Sequence, residues 1–211
     1  MVLVMKERYF SESFLVKLRE KYFRERQWKK LRKFKRVAIL GIDLQKYFLN
    51  EGSKAFLPSS KEFIEHLREF YDNINAPIIF TRHHDENNLM EFWWGSKLEK
   101  ESEFFDIVDD LKPFSDYILD KTSYSAFYKT NLGELLKNLK VETIVITGVM
   151  THLCCETTAR EAFIRGFRVI FPVDGTLTQN RALHEGTIRA IAHGFAVTPL
   201  LEEVKEWLLS E

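Results

Sequence analysis

The run Val37-Ala38-Ile39-Leu40-Gly41-Ile42-Asp43, VAILGID at 37–43, carries apolar residues without interruption and no charge until Asp43. It reads as a central strand covered on both faces, because a half-exposed strand would alternate apolar with polar residues. Outward from it, short apolar runs alternate with longer periodic segments. The strands expected are APIIFT at 76–81, DYILD at 116–120, TIVITGV at 143–149, RVIFPVD at 168–174 and FAVTP at 195–199. Segments 61–71, 132–139, 154–165 and 184–193 read as helices; in the first, Phe63, Ile64, Leu67 and Phe70 recur at helical spacing. Strand, helix, strand in repetition implies parallel pairing through right-handed crossovers. The expected fold is α/β: a three-layer αβα, Rossmann-like arrangement with a six-stranded parallel sheet, whose ligands sit beyond the carboxyl ends of the strands.

Composition agrees with one cored domain. The 211 residues hold 31 Lys or Arg against 31 Asp or Glu, and 45% are apolar, which excludes a disordered chain. Nine Gly and five Pro exclude collagen-like and low-complexity classes. No apolar run reaches the roughly 18 to 20 residues of a membrane span, and MVLVMKERYF turns charged too early for a secretory signal. A cytoplasmic protein without membrane partners is expected. The neutral total hides an asymmetry: residues 1–36 hold thirteen basic and four acidic residues, leaving eighteen and twenty-seven beyond, so the parts carry +9 and −9. Within residues 1–35, Phe10, Phe14, Leu15, Leu18 and Tyr22, then Trp28, Leu31 and Phe34, recur at helical spacing. This basic extension is expected to be an amphipathic arm docked on the acidic domain at 36–211 or on a partner subunit, and nucleic acid is not expected as its target.

Three polar residues fall at carboxyl ends of expected strands: Asp43 closes the first, Lys121 follows the third, and Cys154 opens a helix after the fourth. A cysteine at a helix N-terminus faces unpaired N–H groups and the positive end of the dipole, which favour thiolate. A carboxylate beside it takes its proton, and an ammonium holds that carboxylate charged. Taken singly, each has an ordinary explanation: Asp43 as a helix cap, Lys121 as a solvated strand end, Cys154 as a packing residue. Cys154 and Cys155 are adjacent, so a disulfide between them would be strained and close no useful loop. Free thiols in a reducing compartment are expected. Phe48, Trp93, Trp94, Tyr124 and Phe127 lie near the strand ends or in loops aimed there, forming an apolar slot for a small planar or cyclic substrate.

AILGIDLQKYFL at 38–49, DKTSYSAFYKTNL at 120–132 and VITGVMTHLCCETTAREAFIRGFRV at 145–169 resemble the isochorismatase-like cysteine hydrolases, whose members include isochorismatases, N-carbamoylsarcosine amidohydrolases and nicotinamidases. The resemblance runs from about residue 36 to 199. It implies a six-stranded parallel sheet and a catalytic Asp43, Lys121 and Cys154, with Cys155 as packing. It also implies a cis peptide at Val149–Met150 and an oxyanion hole from the Met150 and Cys154 amides, with Thr151 and His152 on the substrate side. The reaction implied is attack of the thiolate on the carbonyl of a small amide or related molecule, with no cofactor, in an enzyme that is commonly a homo-oligomer.

Tyr124-Ser125-Ala126-Phe127, Phe92-Trp93-Trp94-Gly95 and His152 point toward the isochorismatase branch, which cleaves a vinyl ether by protonation from the Asp. That branch usually lacks a cysteine at this position, so Cys154 argues for nucleophilic chemistry. Isochorismate hydrolysis with Asp43 as acid is the alternative, and a silent binding module with a basic arm is a second. The nicotinamidase branch binds a metal after the second strand, where this chain has His83-His84-Asp85. Adjacent residues on extended backbone face opposite ways, so no metal is expected and His83 is read as a pocket wall or hydrogen-bonding group. His66 is read as solvated, and His184 and His193 as solvent-facing or packing residues.

Overall fold

A computed structural model describes residues 9–22, 25–33, 36–86 and 89–210; Phe34 of the expected arm lies outside them. Seven strands form one sheet: β1 (Val37–Ile42), β2 (Ile78–His83), β3 (Tyr117–Lys121), β4 (Thr143–Val149), β5 (Arg168–Ile170), β6 (Thr176–Leu177) and β7 (Ala196–Val197). Their order is β3-β2-β1-β4-β5-β7, with β6 beside β4, and every pairing is parallel. All six residues of β1 and all seven of β4 are buried, as uninterrupted apolar runs require. From β1 the chain winds outward to β2 and β3, then returns to the opposite side of β1 as β4. The order therefore reverses between β1 and β4, where open sheets of this kind leave a crevice for ligands.

Helices flank the sheet. In the body they are α3 (Lys46–Leu49), α4 (Ser60–Tyr71), α5 (Leu89–Trp94), α6 (Leu132–Asn138), α7 (Glu156–Ile164), α8 (Arg181–Gly194) and α9 (Leu201–Leu209). Helix α4 buries Phe63, Leu67, Phe70 and Tyr71 and packs beside α9. Several strands depart from the sequence reading: β5 stops at Ile170 instead of running to 174, and β7 is only Ala196–Val197 within the expected 195–199. β2 begins after Pro77, which lacks an amide proton but whose carbonyl accepts from Ile39 N at 2.9 Å. The two-residue β6 was not expected, because Thr176-Leu177 is too short to show a period. His66 is not solvated: it is buried, with Nε2 3.0 Å from Asp174 Oδ2. Among the described residues no helix is long and apolar enough to cross a membrane.

Among the described residues the basic arm holds two short helices ahead of β1, α1 (Glu12–Lys21) and α2 (Glu25–Leu31). Ser11 caps the first by accepting from Phe14 N. Phe14, Leu15, Leu18, Trp28 and Leu31 are buried; Arg189 of α8 covers the Phe14 ring at 5.0 Å, and Trp28 meets Trp207 of α9 edge-on at 5.5 Å. Arg19 also pairs with Glu203. Burial decides the docking: each large apolar side chain contributes roughly 1.5–3 kcal/mol, whereas an exposed ion pair contributes about 1 kcal/mol or less.

Candidate active site

The carboxyl ends of β1, β3 and β4 bring Asp43, Lys121 and Cys154 together. Asp43 turns out of the strand at φ 49°, a left-handed conformation that Asp adopts more readily than most residues. Thr81 on β2 holds it twice, accepting from Asp43 N at 3.1 Å and donating to Oδ1 at 2.7 Å. Oδ2 lies 2.8 Å from Lys121 Nζ, and neither side chain is exposed to solvent. The same ammonium donates to Ser123 O at 2.8 Å and to Cys154 Sγ at 3.4 Å, two hydrogen bonds beside its ion pair with Asp43. Burial opposes a charge on Lys121, but Asp43 and then Cys154 outweigh it, and the ammonium pKa is raised.

The thiol behaves differently from the sequence expectation. Cys154 is 7% exposed, and burial pushes its pKa up to about 12; Lys121 pulls it down, but the Asp43 charge reinforces burial. The helix-terminus argument favoured thiolate, and desolvation reverses it. At neutral pH the site holds a neutral thiol beside a carboxylate and an ammonium, a base and an acid arranged for proton transfer during attack. In a Cys155→Ala background, the iodoacetamide alkylation rate of Cys154 should therefore show no inflection near about 8.5, the value of a free cysteine, and should still be climbing at about pH 10. A plateau by pH 9 would mean that the thiol is already activated at rest.

Cys154 sits in a π-helical turn, Thr151–Cys155, that leads into α7. The Val149–Met150 peptide before it is cis. Met150 O accepts from Leu153 N at 3.1 Å and Cys155 N at 3.3 Å, closing the turn on itself. Cys155 is fully buried, and burial raises its pKa well above the usual thiol range. Just before the cis bond, Gly148 has φ 114°, and a Cβ there would stand 2.1 Å from Ile42 O. Only glycine admits both that conformation and that approach.

His83 ends β2, paired in register with Lys121. Gln45, wholly buried, clamps its backbone: Oε1 accepts from His83 N at 2.7 Å, and Nε2 donates to His83 O at 2.9 Å and Phe105 O at 2.7 Å. His83 Nε2 lies 3.1 Å from Asp85 Oδ1, and Nδ1 is buried without a hydrogen-bond partner. Although burial opposes its ionisation, bonds from His83 and Leu98 N hold the Asp85 carboxyl below the usual range. His84 instead sets its ring edge-on to Phe105, 6.1 Å away. The two histidines and Asp85 thus do not converge on one point, and no group of three or more His, Cys, Asp or Glu among the described residues is placed to hold a metal. Arg82 is turned to Asp106 and Asp120 at 3.1 and 2.9 Å.

The expected wall residues divide. Trp94 Nε1 donates to Tyr124 OH at 3.0 Å, tying α5 to the loop after Lys121. Phe48 is buried on α3, and His152, half-buried, places Nδ1 2.8 Å from Thr178 Oγ1. Trp93 projects outward, 73% exposed. Phe127 faces the interior, stacked on Phe167 at 6.1 Å beneath the Arg165 guanidinium. Thr151 is fully buried, its hydroxyl 3.0 Å from both Thr176 Oγ1 and His184 Nδ1, so it braces the turn instead of facing a ligand. His184 donates from Nε2 to Val173 O at 2.9 Å, and burial pushes its pKa down to about 4. Thr81, Ser123 and Gln45 were not anticipated as parts of this site. For Gln45 the signal was a neutral amide two residues beyond Asp43 in a buried run.

The family model for the isochorismatase domain matches residues 37–203. Nicotinamidase 3 of Arabidopsis thaliana is 38% identical over 181 residues, covering 82% of this chain and 89% of the relative. Enterobactin synthase component B of Escherichia coli (strain K12) is 29% identical over 178 residues, covering 80% of this chain and only 62% of the longer relative. Among solved structures, a cysteine hydrolase from Pseudomonas syringae pv. phaseolicola 1448A superposes with a TM-score of 0.77 at 23% identity, covering 82% of this chain and 92% of that one. N-carbamoylsarcosine amidase from Thermoplasma acidophilum gives 0.70 at 19% identity, with 79% and 97% covered. At those identities the structures establish the fold.

Proposed function

Because the chain belongs to the isochorismatase family of hydrolases, we propose that it hydrolyses the carboxamide of a small planar molecule, nicotinamide or a close analogue, through a thioester at Cys154. The observation that carries this reading is the buried contact of one ammonium with both Asp43 and the Cys154 sulfur. Asp43 takes the thiol proton as sulfur attacks the carbonyl, and the Met150 and Cys154 amides receive the oxyanion. Collapse breaks the C–N bond, with the same proton passing from Asp43 to the leaving nitrogen as ammonia. Water then gives a proton to Asp43 and attacks the thioester, releasing the acid and restoring the thiol. Lys121 stays charged throughout and keeps Asp43 oriented while that carboxylate takes up and returns the proton. No step is routed through a metal.

Phe48, Trp94, Tyr124 and His152 line the substrate side in this reading, with Trp93 at its rim. With Nε2–H given to Asp85, His83 Nδ1 carries a buried lone pair, which suits a substrate N–H donor. Leu89, Phe92 and Trp93 of α5 are each more than 70% exposed, which supports covering by a second copy of the chain. Residues 36–211 form the hydrolase domain on this reading, and the two free thiols favour the cytosol. The test is ammonia release from nicotinamide, measured alongside turnover of isochorismate. Ammonia released in proportion to enzyme is expected; turnover of isochorismate alone would replace this reading by vinyl-ether cleavage with Asp43 as acid.

A further inference from the structure

We infer that the arm's Tyr9 and Phe10 position the nucleophile turn, acting through His184 and Thr151. The inference rests on Cys154 being the nucleophile. Tyr9 and Phe10 are fully buried, and both lie against the His184 imidazole: Phe10 stacks on it at 5.9 Å and 23°, and Tyr9 tilts against it at 6.1 Å. The ring edges are also fixed. Nε2–H is committed to Val173 O, which fixes that edge of the ring, and Nδ1 lies 3.0 Å from the Thr151 hydroxyl, which also donates to Thr176 Oγ1. Thr151 opens the π-helical turn, and Cys154 lies three residues on. π-Turns are uncommon and cluster at functional sites, and this one takes its side-chain anchorage from Thr151 on His184 and Thr176 and from His152 on Thr178.

The arm is itself held. Tyr9 OH donates to Pro58 O, Phe14, Leu15 and Leu18 are buried, and Arg19 pairs with Glu203. The family match starts at residue 37, so the rings that cover His184 come from outside the matched domain. Without them the imidazole keeps its polar contacts but loses the aromatic cover that sets its plane, and the Thr151 hydroxyl loses a fixed neighbour. Tyr9, Phe10, His184 and Thr151 are positioning residues on this view, since none needs to touch substrate.

The test compares Tyr9→Ala/Phe10→Ala, Thr151→Val and their combination in the full-length chain carrying Cys155→Ala. Two quantities are read: amide kcat and KM, and the rate of Cys154 alkylation by iodoacetamide. Displacing a reacting group by about 1 Å costs up to about 100-fold, so a loosened turn should lower kcat about 10-fold with KM changed less than about 2-fold. Alkylation should quicken several-fold as the buried sulfur opens. The combined variant should lose little beyond either parent, because both cut the same connection. Thr151→Ser, which keeps the hydroxyl, should recover kcat to within about 2-fold of the parent. Additive losses, or an arm variant with unchanged kcat and alkylation, would overturn the inference. Should the double alanine variant not fold, Phe10→Leu keeps apolar bulk but loses the flat ring, and the same comparison decides. Alkylation needs no substrate, so faster alkylation in a protein that turns over no amide would uphold the hold of the arm on the turn and refute the amidase reading.

Discussion

Replacing Cys154 by alanine should reduce amide turnover by at least about 1000-fold while the protein stays folded. The sulfur is the group that forms the covalent bond, and a water attacking directly from its place would lack both its nucleophilicity and its position on the turn. Stability should change little by comparison: the lost side chain is small, and Lys121 keeps Asp43 and the Ser123 carbonyl as acceptors. Incubation of the wild type with substrate followed by rapid acid quench should trap a mass increase on the peptide holding Cys154, absent from the variant. Turnover above about a tenth of wild type would end the covalent mechanism, since no other described thiol has access; Cys155 is fully buried.

Lys121→Met should cost roughly 3–5 kcal/mol of stability and abolish turnover, because it leaves the Asp43 carboxylate without its counterion in a site closed to water. The side chains of both partners are wholly buried, so solvent cannot replace the ammonium. Thr81 would remain as the hydrogen-bond partner of Oδ1, enough to orient the carboxyl but not to neutralise it. The companion is Lys121→Met/Asp43→Asn, which removes both charges and should regain at least about 2 kcal/mol over the single variant while staying inactive. Urea unfolding of the three proteins gives the comparison. A single variant as stable as wild type would show that the ammonium does not hold the carboxylate in its charged form.

The parts of this molecule legible in the chain are those whose signal is local. β1 and β4 are continuous branched runs because both faces are covered, and Asp43 and Lys121 stand where those runs and the third strand end. Arm periodicity likewise pointed to Phe10, Phe14, Leu15, Leu18, Trp28 and Leu31, all buried. What stayed hidden depends on partners far along the chain. Thr81 reads as another strand residue until Asp43 is 38 positions away and within 2.7 Å. His66 looks like a surface histidine because nothing nearby in sequence reveals Asp174. The thiol was misjudged for a related reason: the helix terminus is visible in sequence order, whereas the burial that overrides it comes from the closed fold.

Gly148 gives the centre of the sheet a clearance of zero. At that point β4 touches β1 main chain to main chain, with Asp43 one residue past the contact on one strand and the Cys154 turn beginning just past it on the other. The main-chain positions from which Asp43 and Cys154 project are thus set by two backbones in contact. Descendants of this chain that take up a new substrate have the rim, the loops and the arm to alter; the span between proton acceptor and sulfur is the dimension they inherit.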